Sequence, residues 1–156
     1  MNIDGLSGIY AKKKPFLIIA VVLFCISFFF WILKWPGTRY VLFFQASDSS
    51  RLCMEARYLH FHSGQSHISA FVDELLLGPE TERFRPLFSP GTRAGFCFVR
   101  KGVLYVNLSP ELLQEAGGAS AIREGTVLFR RNILENFRNI KKIEMFADGK
   151  RMYENG

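Results

Sequence analysis

Cysteine and histidine are scarce, with three of each in 156 residues, and that scarcity excludes most reactive chemistry. A nucleophilic cysteine or serine needs a base and an orienting group beside it. Cys97 lies inside an apolar stretch, and no G-x-S-x-G turn is present. A glycine-rich phosphate loop is missing as well. His60, His62 and His67 are the one metal constellation that can be drawn, since zinc accepts three imidazoles plus water. The carboxylates near them are Glu55 and Asp73, and two close histidines on a half-exposed strand are common. The residues therefore imply no catalytic group, no metal site and no cofactor. A cell-wall or small-molecule hydrolase built on the three histidines is the rival reading. Cys53 and Cys97 could pair in an oxidising compartment if their Cα atoms come within about 7 Å; two buried free thiols are the alternative.

Charge is the second absence. Residues 15–33 carry none, and Ser27 is their only hydroxyl. At ~1.5 Å per residue the run makes roughly 28 Å of helix, close to the ~30 Å hydrocarbon core of a bilayer. A buried core helix keeps a polar face, which this run lacks, so a membrane span is expected. Residues 15–35 then form a transmembrane anchor and residues 1–14 a short cytoplasmic head, frayed over its first eleven residues. Lys12, Lys13 and Lys14 precede the span, while only Lys34 and Arg39 follow closely. Flanking positive charge stays cytoplasmic, which places the C-terminal part in the periplasm or another extracytoplasmic space. Trp31 and Trp35 sit at the outer end, where indole rings favour the headgroup layer. A cleaved signal peptide would need a shorter apolar region followed by small residues, and Trp31, Ile32, Leu33 and Lys34 stand there instead. Lipid attachment at Cys25 is opposed by bulky Phe24 and by the apolar run beyond it.

Residues 34–156 are about the size of one domain, and the eleven of the chain's sixteen phenylalanines that fall there supply a core. Their charge is +4, from 17 basic and 13 acidic residues. So mild an excess outside a membrane argues against nucleic acid as a partner. Attraction to anionic lipid or acidic wall polymers is compatible with it, and a solvated basic face is the ordinary explanation.

Aromatic and branched residues at 39–46 predict a strand, 47–50 a turn, and 55–62 a second strand with Arg57, Leu59 and Phe61 on one face. Ser66 is placed to cap a helix over 67–77, where Ile68, Phe71, Val72, Leu75 and Leu76 form one apolar stripe. Gly78 and Pro79 end it. Residues 94–100 and 103–108 predict a hairpin about Lys101 and Gly102. A short helix opens at Ser109–Pro110, and a long one covers 120–137. In the long helix Ile122, Thr126, Phe129, Ile133 and Phe137 share a face that Leu128 and Leu134 widen. A strand at 142–147 follows, with Ile143 and Met145 inward, then a turn at Asp148–Gly149 and a short return.

Between the first predicted helix and the hairpin runs a loop, 80–92, punctuated by Pro86, Pro90 and Gly91. It sets Arg83 and Arg85, with Arg93 just beyond, beside Phe84 and Phe88. Arginine and aromatic residues are favoured at interfaces, so these five are the candidate partner-binding residues. The alternative is that both phenylalanines fold back into the core.

Several pieces then resemble one known family. They are the helix end Leu76-Leu77-Gly78-Pro79, the turn Pro90-Gly91-Thr92, the segment from Gly102 to Ser109, and the closing strand and turn from Ile140 to Gly149. In this order they resemble the GerMN domain, over roughly residues 39–152. The chain departs from the family pattern at Asn107, where Asp is frequent, and at Arg138-Asn139, where Pro-Gly is frequent. No acidic role at 107 is therefore carried over. The resemblance implies an α+β domain over 38–156, expected as one mixed or antiparallel sheet with two main helices packed on one face. It further implies a bacterial cell-envelope module with an N-terminal lipid or membrane anchor, of a family found beside sporulation and cell-wall functions. Such a module binds or assembles, its partner an envelope protein or a cell-wall component, and is not an enzyme.

Overall fold

A computed structural model describes residues 4–33, 37–60, 64, 66–114 and 117–152. It divides into two compact units, Met1–Pro36 and Gly37–Gly156.

The first unit is helix α1 (Asp4–Leu33). The head expected to fray is helical from Asp4, and the helix passes through Pro15. Pro15 removes one backbone hydrogen bond, and the ladder continues on either side. Within α1, Pro15–Ile32 has a mean hydropathy of 2.7 and none of it is buried. By length and composition it is suited to cross a membrane. Its apolar side chains radiate all round the axis, with Phe16 78%, Phe24 71% and Trp31 61% exposed. Lys34, Trp35 and Pro36 lie outside the described residues.

The second unit begins with strand β1 (Thr38–Ala46), whose alternate residues Tyr40, Leu42, Phe44 and Ala46 are buried. The turn at 47–50 returns the chain antiparallel as β2 (Leu52–Leu59). This strand starts three residues earlier than the expected 55–62, because the short turn sets the register from Gln45↔Leu52. Its residues alternate as expected, and the face of Arg57 and Leu59 is the inward one, with Met54 and Tyr58 outward. Phe61 and His62 lie outside the described residues.

Helix α2 (His67–Leu77) is capped by Ser66, whose Oγ accepts from the Ser69 N–H at 3.2 Å. Its stripe of Ile68, Phe71, Val72 and Leu75 is buried. Strand β3 (Phe84–Arg85) arises within the segment expected to be a plain loop and pairs with the end of β1. β4 (Ala94–Arg100) and β5 (Val103–Leu108) form the expected hairpin. Both turn residues, Lys101 (φ 51) and Gly102 (φ 76), take the positive φ that a two-residue hairpin turn requires. A 3₁₀ turn (Pro110–Gln114) and helix α3 (Gly118–Asn136) then cross over to β6 (Lys142–Ala147). A crossover of this length permits the parallel pairing of β5 and β6. The short β7 (Lys150–Arg151) closes the order.

The fold is α+β, but the strands form two sheets where one was expected. One sheet is ordered β2-β1-β3 and the other β4-β5-β6-β7. A single core serves both, formed by Leu42 and Phe44 of β1, Phe71 and Leu75 of α2, Leu104 and Val106 of β5, and Phe129 and Ile133 of α3. The rings of Tyr40, Phe71 and Phe137 make a triangle with centroids 5.2 to 5.5 Å apart.

What holds α3 to β1 is polar. The Asn132 carboxamide accepts from the Phe43 N–H at 2.7 Å and donates to the Phe43 carbonyl at 2.9 Å. One turn on, Asn136 does the same to Val41, at 3.2 and 2.7 Å. Positions i and i+4 rise about 6 Å along a helix, close to the advance of two residues along a strand. Two asparagines on α3 thus stand in for a neighbouring strand along the edge of β1 that β3 leaves unpaired. Asn132 is fully buried, whereas Leu134, expected on the apolar face, is 43% exposed.

Candidate functional site

The 83–93 loop is partly surface and partly core. β3 is anchored along the chain after β1: the Ser47 N–H donates to the Arg83 carbonyl at 2.8 Å, and Arg85 donates to the Ser47 carbonyl at 2.6 Å. Arg83, Arg85 and Arg93 are exposed. Phe88 is not available to a partner: it is 4% exposed and packs against Phe129 at 6.2 Å. Phe84 is half-buried and rests on the core. Leu87 and Thr92 are buried too, and Thr92 closes a turn by donating from both N–H and Oγ1 to the Ser89 carbonyl. The two prolines and the buried Leu87-Phe88 pair fix this loop as a built segment, with arginines outward and phenylalanines inward.

The tight point is Gly125 of α3. A Cβ there would run into the Leu87 carbonyl oxygen and come within 2.8 Å of the Phe88 ring. Beside that contact a cleft of about 310 Å³ opens between the loop and the first half of α3. Its walls include Arg85, Pro86, Phe88, Glu124 and Leu128.

A second polar centre surrounds Arg57, a buried arginine that strand alternation sets on one face with Leu59. Its guanidinium meets Glu55 at 2.5 Å and Glu74 at 3.1 Å, and donates to the Gly78 carbonyl at 2.7 Å and the Glu74 carbonyl at 3.3 Å. It also lies 5.8 Å from the Phe44 ring centroid. A cation on carbonyls at the C-terminal end of a helix satisfies orphan acceptors and complements the helix dipole. The centre ties β2 to the end of α2. In the sequence the one sign of it is the spacing of Glu55 and Arg57, two apart and so on the same face of a strand.

His60 is exposed just beyond β2, and His67 opens α2 with Nδ1 3.5 Å from the Tyr40 hydroxyl. His62 lies outside the described residues. Among the described residues no three His, Cys, Asp or Glu side chains are grouped to hold a metal ion. Cys53 and Cys97 are free thiols. Burial pushes the Cys97 thiol up to about 11, against a hydrogen bond from Ser69, so it is protonated at neutral pH and a poor nucleophile.

The model for a family described as "Germane: Sporulation and spore germination" matches residues 41–153. The chain belongs to the Germane family. A relative, an "Uncharacterized lipoprotein" of Treponema pallidum (strain Nichols), is 24% identical over 102 residues, covering 65% of this chain and 76% of the relative. Among solved structures, the first GerMN domain of the sporulation protein GerM from Bacillus subtilis superposes with a TM-score of 0.61 at 14% identity. That superposition covers 76% of this chain and 88% of the GerM domain. The tandem GerMN domains of the same protein give a TM-score of 0.59 at 14% identity, over 76% of this chain and 42% of theirs. This chain's second unit thus has the GerMN fold.

Proposed function

We propose that this Germane protein is a membrane-anchored, non-catalytic module of the cell envelope, with α1 as its single span and its GerMN-type domain outside the cytoplasmic membrane. The observation that carries the reading is α1 itself, an uncharged 18-residue stretch of mean hydropathy 2.7 with no part buried. Leaving that much hydrocarbon in water would cost many kcal/mol, so its natural surroundings are lipid. The lipoprotein name of the Treponema relative and the sporulation role in the GerM name are consistent with an envelope setting. Lys12, Lys13 and Lys14 on the N-terminal side argue for the N-terminus inside. The domain's part is to bind an envelope protein or wall component through the exposed guanidinium groups of Arg83, Arg85 and Arg93. Phe84 contributes at most an edge, and Phe88 acts from within by holding the loop.

Topology is tested by fusing, after Gly156, a reporter active only outside the cytoplasm. The fusion should be active, and neutral residues at 12–14 should lower its activity. An inactive fusion on a well-expressed chain would remove the anchor model. For the loop, Arg83→Glu with Arg93→Glu should leave the thermal midpoint nearly unchanged, as surface substitutions do, while reducing crosslinks to envelope partners. Undiminished crosslinking by the folded variant would take the loop out of the interface.

A further inference from the structure

The four-stranded sheet turns Leu104, Val106, Ile143 and Met145 to the core, and among the described residues no element covers its other face. Register sets that outer face in rows. Phe96, Asn107 and Phe146 make one, Phe98, Tyr105 and Glu144 the next, and Arg100, Val103 and Lys142 the last. The rings touch one another. Phe98 stacks on Tyr105 at 5.2 Å, and Phe96 lies 5.7 Å from Phe98 and 6.0 Å from Phe146. Even so, Phe96 and Phe98 are 41% and 48% exposed. A contiguous aromatic patch of this kind marks an interaction surface more often than scattered apolar residues do.

Cations frame the patch. Arg100 and Lys101 stand at the β4–β5 turn beside Lys142, and Arg151 lies at the far edge opposite Phe146, all four exposed. Glu144 is neutralised between Lys142 at 2.7 Å and Arg151 at 2.5 Å, and Asp148 in the next turn is the other carboxylate here. Exposed aromatic rings ringed by lysine and arginine are the composition that enters a headgroup layer over anionic lipid.

We propose that this aromatic and basic face docks on a bilayer surface bearing anionic phospholipid, with Phe96 and Phe98 entering the headgroup layer and the framing cations meeting lipid phosphates. The proposal rests on the anchored reading. Residues 34–37 separate α1 from β1, at most about 14 Å of extended chain. An anchor so close holds the domain beside the membrane and raises the effective concentration of any lipid-seeking face. The short tether and the framing cations favour this occupant: the tether keeps a bilayer within reach, and phenylalanine rings partition into a headgroup layer whose phosphates the cations can meet.

The test uses the full chain in nanodiscs, with benzoylphenylalanine in place of Phe98 or, as a control on α3, of the exposed Val127. Retention in membranes after alkaline extraction reports the anchor separately, so loss of the anchor and loss of docking are distinguishable. In discs of phosphatidylcholine with phosphatidylglycerol, illumination should give a lipid adduct at 98 well above that at 127. The adduct should fall about five-fold or more in discs of phosphatidylcholine alone, in molar salt, and in the Arg100→Glu, Lys101→Glu variant. Equal adducts at 98 and 127, or no dependence on anionic lipid, would overturn the proposal. So would a protein adduct replacing the lipid adduct when the same chain is illuminated in cells.

Discussion

The two long helices of the domain bury their faces by opposite means. α2 does it with hydrocarbon: a regular stripe from Ile68 to Leu75, a serine cap before it, and Gly78-Pro79 after it. α3 buries Phe129 and Ile133 as well, but between and beside them it buries a glycine and an asparagine. Gly125 lets the 85–90 backbone come up against the helix, and Asn132 with Asn136 bonds the edge of β1. No side chain caps its start. Amphipathicity therefore describes α2 completely and α3 only in part. Where a helix meets a strand edge and not a sheet face, it must satisfy donors and acceptors, and apolar side chains cannot.

The contrast makes graded predictions about denaturant unfolding of the chain. Phe71→Ala on α2 should cost most, about 3–5 kcal/mol, from lost transfer energy and the cavity left in the aromatic triangle. A cost below about 1 kcal/mol would mean that Tyr40 and Phe137 collapse into the space. Asn132→Leu should come next, at about 3 kcal/mol, although it makes α3 more apolar, because the Phe43 N–H and carbonyl lose their partners. A more stable Leu variant would show that this edge of β1 finds other partners and would erase the distinction between the helices. Gly125→Ala follows. In a free helix it should stabilise by about 1 kcal/mol, but here the Cβ meets backbone at Leu87, and a loss of about 2 kcal/mol is expected. A rise in the thermal midpoint would mean that the Leu87-Phe88 loop yields. Smallest is Ser66→Ala, about 1 kcal/mol from the lost cap of α2; no change there would make the two helix starts equivalent.

Legibility tracked the kind of force at work. The apolar helix, α2, the β4–β5 hairpin and β6 were readable because each is decided within its own segment, by an uninterrupted apolar run, a 3.6-residue stripe, or alternation about a turn. β2 was displaced because the pairing register belongs to the hairpin as a whole. β3 went unseen because two residues carry no periodicity, only a partner. The candidate loop was half legible: its arginines are outward as expected, while Phe88 turned inward because Gly125, on an element far along the chain, left room for it.

By itself the sequence determined that an uncharged apolar run precedes a phenylalanine-rich α+β domain, since composition, periodicity and local turn chemistry suffice for that. Tertiary structure alone decided that the strands divide into two sheets and that Arg57 is buried among Glu55, Glu74 and helix-end carbonyls. It also decided that two asparagines complete a strand edge and that Phe96 and Phe98 face outward while Phe88 does not. Phenylalanine is equally apolar at all three positions. Which of them meets water depends on what the rest of the chain brings against it, a contact between distant residues that no local pattern encodes.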